Sequence, residues 1–136
     1  MIQTGFHIGD RDWWVMATIG IQSEEDLDEV YKVLVVSGSP EDEARKVCRV
    51  LSRKNSGYTF SHLDGHFTLL FASAATSADE LYDTIAHEVK HAVEHISNYY
   101  GVDPKSEQAA YLQGELSKQL FPAIALAVCP KCSHSE

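Results

Sequence analysis

Leu81-Tyr82-Asp83-Thr84-Ile85-Ala86-His87-Glu88-Val89-Lys90-His91-Ala92-Val93-Glu94-His95-Ile96 is the stretch on which the fold turns. At about 100° per residue, Leu81, Ile85, Val89, Ala92, Val93 and Ile96 share one broad face, the apolar stripe of a helix lying on a core. His87 and His91 fall on the opposite side, about 40° apart and one turn from each other. Glu80, Thr84, Glu94, His95 and Asn98 share that side. Two imidazoles stacked in this way can reach one tetrahedral ion. Glu88 is offset from His87 by about 100°. From there its carboxylate reads as a general base for a metal-bound water rather than as a ligand.

The motif is specific. With this chain's content of His and Glu, chance supplies roughly 0.03 matches to His-Glu-x-x-His. A solvated polar helix face is the plainer reading of the same residues. A catalytic zinc, however, takes three protein ligands and an open position. The helix opens at Ser77, with Glu80 completing the pattern of a capping box, and runs to about Tyr100, where Gly101 stops it. Asp103-Pro104 starts a further helix, which runs to about Leu120, before Pro122. Its stripe is Ala109, Leu112, Leu116 and Leu120. Glu107 lies opposite that stripe, near Ala110, Tyr111 and Gly114. Small residues there allow a close approach of the two helices, and a tight corner brings Glu107 back beside His91 as third ligand. Glu107 also reads as an ordinary first-turn acid that suits the helix dipole.

Upstream, residues 13–21 read as a strand. Ser23 caps a first helix, with acids through Asp28, ending near Ser37-Gly38. Ser39-Pro40-Glu41 opens a second, to about Lys54, burying Ala44, Val47, Val50 and Leu51, with Cys48 beside them in the core. Asn55-Ser56-Gly57 breaks the chain. Residues 58–63 and 66–73 then form two strands joined by Asp64-Gly65, a pair that favours the tight hairpin turn with positive φ at both positions. The class is α+β: a small antiparallel sheet of about three strands with about four helices on one face. Residues 1–122 make one domain and 123–136 a tail.

Bulk properties narrow the function. The 136 residues carry a formal net charge of −9, which argues against gripping nucleic-acid phosphates. Arg45, Lys46, Arg49, Arg53 and Lys54 are preceded by acids and read as one solvated helix face. The start, Met1 to Phe6, lacks the pattern of a signal peptide, and Ala123 to Cys129 is too short to span a bilayer. Cys48, Cys129 and Cys132 are too few and odd for a disulfide framework, so a cytoplasmic, reducing setting is expected.

Other histidines and cysteines admit other readings. His95 lies two turns from His87, roughly 12 Å along the axis, too far to share an ion easily. Glu88-x-x-His91 is half of a di-iron motif whose second half is missing. His62 and His66 flank the Asp64-Gly65 turn and read as exposed turn residues. Cys129-Pro130-Lys131-Cys132, with His134, is half of a zinc knuckle; a frayed tail with reactive thiols is the commoner form.

His87-Glu88-x-x-His91, followed by a helix bearing Glu107, resembles the gluzincin branch of zinc metallopeptidases. More closely it resembles short, single-domain, zincin-like proteins with this motif encoded by bacteriophages and mobile elements. The resemblance covers about residues 58–121. It implies that His87, His91 and Glu107 bind Zn2+, that Glu88 activates water, and that an extended peptide or protein substrate lies along an edge strand drawn from 58–63 or 66–73. It leaves open a non-catalytic zinc-fold protein acting on a host partner. It implies neither a nucleic-acid nor a membrane partner, and no particular oligomeric state.

Overall fold

A computed structural model describes residues 1–9 and 11–128. The elements follow the order β1 (Ile2–Ile8), β2 (Trp13–Ile21), α1 (Glu24–Val36), α2 (Glu41–Leu51), β3 (Gly57–His62), β4 (Phe67–Ser73), α3 (Ala78–Tyr99) and α4 (Glu107–Val128). The class is the expected α+β, with four helices and one mixed sheet of four strands, ordered β1-β2-β4-β3, among the described residues. β1 pairs antiparallel with β2, from Ile2↔Ile19 to Ile8↔Trp13. β2 and β4 run parallel in the centre, and β3 pairs antiparallel with β4 at the edge. A wholly antiparallel sheet is therefore corrected. The return from β2 to β4 passes through α1, α2 and β3, and such a long crossover lets two strands lie parallel.

The helices occupy both faces of the sheet, not the single face expected. On one face, Trp13, Val15, Ala17 and Ile19 of β2 and Leu70 and Ala72 of β4 meet the stripes of α3 and α4 in the main core. On the other, Leu69 and Phe71 meet Val30, Leu34, Ala44, Val47 and Leu51 of α1 and α2. β4 is buried on both sides, which explains its near-continuous apolar run. α1 and α2 leave the start of β2 uncovered on this second face, where Trp14 and Met16 stay about half exposed.

Local signals account for the boundaries. Ser23 and Asp26 form a full capping box at α1. Ser77 accepts from the Glu80 N–H at α3. α3 ends as the glycine predicts: Gly101 has φ +70°, its N–H reaches the Asn98 carbonyl, and the Val102 N–H reaches that of Ser97. This paired closure needs a left-handed residue. Ser106, not Asp103, caps α4 by accepting from the Ala109 N–H.

Three expectations shift. α2 ends at Leu51, three residues early. Neither Asp64 nor Gly65 has positive φ; the left-handed residue is His66, at +56°. Its ring stacks on Trp13 and bonds the Tyr99 hydroxyl at 2.9 Å, so packing sets the turn. α4 runs through Pro122 to Val128. Burial of Ala123 and Ile124 in the main core offsets the hydrogen bond that proline cannot donate. The cysteine-containing segment 129–136 lies outside the described residues. No helix among those described is long and apolar enough to cross a membrane.

Candidate metal and proton-transfer site

α3 lies over β3 and β4, while α4 lies over β1 and β2. α3 thus has an inner flank against α4 and an outer flank against the edge strand. Alternation along β3 turns Gly57, Thr59 and Ser61 toward that outer flank. Glu88 and His95 of α3 meet them there.

His87 and His91 are exposed, and their rings meet edge to face with Nε2 atoms 3.1 Å apart. Two imidazole nitrogens on a tetrahedral zinc, each about 2.0–2.1 Å from it, stand about 3.3 Å apart. The pair therefore fits two positions of such an ion. The same distance also suits an N–H···N hydrogen bond between neutral rings. Glu94 Oε1 lies 3.6 Å from His91 Nδ1. A carboxylate there favours the tautomer with its proton on Nδ1, which leaves Nε2 free to ligate.

Glu88 sits deeper than the spacing implied. It is 5 % exposed and packs beneath β3. Thr59 Oγ1 stands 2.7 Å from its Oε1 and 3.1 Å from its backbone carbonyl. Gly57 leaves the space for the carboxylate: a Cβ there would come within 2.7 Å of both Cγ and Oε2 of Glu88. This glycine is needed for room, not for an unusual φ. The hydroxyl occupies Oε1, and Oε2 faces the slot under the glycine.

Glu107 does not join the histidines. Among the described residues, no group of three His, Cys, Asp or Glu side chains converges to hold a metal. His91 lies eight residues before Tyr99, the end of α3, about 12 Å along the axis. Glu107 is the first residue of α4, beyond the corner, and is exposed. α4 meets the core through Ala109, Leu112 and Leu116. The face expected to make a close approach is open: Tyr111 is 71 % exposed, and a Cβ on Gly114 would meet nothing within 4 Å.

His95 is half-buried on the same outer flank, its Nδ1 2.7 Å from Ser61 Oγ. Burial holds its pKa below the ordinary histidine value and nearby His91 adds to the shift, while Glu94 opposes it. Of the remaining residues, His62 Nδ1 accepts from the Gly65 N–H, with its ring on Phe67. Cys48 contacts the Leu27 carbonyl at 3.4 Å, and burial raises its thiol pKa.

Gly57, Thr59, Ser61 and Thr68 escaped the sequence reading. The small, polar alternation Gly57-x-Thr59-x-Ser61 was the available signal. A strand face of that kind cannot meet a helix through apolar packing alone. Comparison with protein-family models, with curated proteins and with solved structures gave no match.

Proposed function

We propose that this chain is a zinc-dependent hydrolase of the peptidase type, in which His87 and His91 hold the ion and Glu88 handles the proton. The observation that carries this reading is the convergence of the two Nε2 atoms to 3.1 Å, with the motif's carboxylate one residue away. Zinc bound there would polarise a carbonyl and acidify a water. Glu88 would take a proton and return it to a leaving amine, while Thr59 holds Oε1 and fixes the carboxylate plane. Among the described residues the outer edge of β3 has no strand partner, and it suits an extended peptide added as a further strand. The odd, sparse cysteines support a cytoplasmic setting.

Glu107 is the third ligand that the resemblance names. Glu107→Gln lowers zinc affinity if the residue ligates; unchanged affinity in titration calorimetry removes it. The burial of Glu88 favours a second reading, a non-catalytic zinc-fold protein acting on a partner. Incubation with a peptide library, with and without chelator, separates the two. Hydrolysis that chelator and Glu88→Gln each abolish supports the enzyme; zinc binding without any cleavage supports the partner protein.

A further inference from the structure

A line of hydrogen bonds runs from the core to the outer flank, and its direction is set at its buried end. Trp13 is fully buried, and its indole N–H can only donate. It donates to Thr68 Oγ1 at 3.0 Å. Thr68 is itself fully buried, so its hydroxyl proton needs an acceptor. Among the described residues that acceptor is Ser61 Oγ, 2.8 Å away. The Ser61 proton then points to His95 Nδ1 at 2.7 Å. His95 Nδ1 is thereby an acceptor, and the ring of a neutral His95 carries its proton on Nε2.

That second nitrogen has no hydrogen-bond partner among the described residues, yet it is not among the buried, unpartnered polar atoms, of which only Ser97 Oγ is one. His95 lines a cavity of about 360 Å³ with Ser61, Leu63, Asn98 and Tyr99. Leu63 and Tyr99 present exposed apolar surface there, at 46 % and 40 %. Among the described residues no Lys or Arg lines the cavity, and Glu94 adjoins His95 in the chain. An anion has no counter-charge in this setting, whereas an uncharged acceptor can meet a neutral N–H donor.

We propose that this cavity binds an uncharged carbonyl compound bearing an apolar group, such as an amide of an apolar amino acid, with His95 Nε2–H donating to the carbonyl and Leu63 and Tyr99 covering the apolar part. The site stands apart from the metal reading, because neither His87 nor His91 contributes to it, and it is tested without metal. The probe is N-acetyl-phenylalaninamide, added to isotope-labelled full-length protein in chelator and followed by nuclear magnetic resonance, with N-acetyl-phenylalanine as the charged control. The free protein shows His95 as the Nε2–H tautomer. The amide saturably moves the His95 Nε2, Asn98 side-chain and Leu63 methyl signals, and the carboxylate binds at least tenfold more weakly. His95→Ala removes binding. Thr68→Val breaks the line without touching the cavity and weakens binding severalfold as Nδ1–H rings appear; if His95→Ala fails to fold, Ser61→Ala serves in its place with the same weakening. A Nδ1–H tautomer in the wild type, no saturable shift with the amide, or equal binding of the carboxylate overturns the proposal.

Discussion

The two flanks of α3 are built from different materials. Toward α4 the helix meets Ala109, Leu112, Leu116 and Leu120 in a dry core. Toward β3 it offers Glu88 and His95 to a strand face of Gly57, Thr59 and Ser61. Burial of apolar surface makes the inner flank a source of stability. A carboxylate placed in low-dielectric surroundings costs stability unless it is hydrogen-bonded, and here one hydroxyl and a cleared space accommodate it. The outer flank is thus polar where the inner one is apolar, and the proposed site lies on its polar side.

Substitutions on each flank can break or sharpen that contrast. The largest loss is expected inside. Leu116 is fully buried, and Leu116→Ala should cost about 2–5 kcal/mol, read from chemical denaturation. On the outer flank, Gly57→Ala drives a Cβ into Glu88 and should cost about 1–3 kcal/mol by overpacking; a change below about 0.5 kcal/mol would mean that Glu88 readily leaves its slot. Thr59→Val leaves the buried Glu88 Oε1 without its hydroxyl donor, and about 1–3 kcal/mol is expected from the same measurement.

Smaller still is the pH effect at His95. Its folded pKa is lowered by burial, with His91 adding and Glu94 opposing. As the pH falls through the ordinary histidine range, near about 6.5, the unfolded chain takes up a proton that the folded chain resists. Stability is lost as acidity rises, and it is retained above that range. His95→Gln should flatten this part of the profile of denaturation midpoint against pH; an unaltered slope would show that His95 is not held neutral. The smallest effect on stability is expected from His87→Ala, an exposed residue whose loss without metal should stay within about 0.5 kcal/mol while removing zinc binding.

The inner flank was legible because its signal is periodic. Every residue of the stripe Leu81, Ile85, Val89, Ala92, Val93 and Ile96 is buried, and the stripe of α4 is buried likewise. β1 was missed although Ile2, Phe6 and Ile8 all pack on the main core and alternate along the strand. Both helices of the second face were found, but their side of the sheet was not, since the parallel pairing of β2 with β4 depends on contacts distant in sequence. The His pair was readable from spacing within one helix. The placement of Glu107 was not, because it depends on which faces of two helices meet, and α4 turns its leucines inward rather than its small residues. Glu88 deceived for a related reason: an angle on a helix does not reveal that an edge strand with a glycine will close over it.

Zinc K-edge absorption on the full chain loaded with one equivalent of zinc tests the central claim most directly. The account predicts a first shell of nitrogen and oxygen at about 2.0–2.1 Å containing two imidazoles, lost in His87→Ala and in His91→Ala. Sulfur ligands at about 2.3 Å, or an unchanged spectrum in both variants, would contradict it.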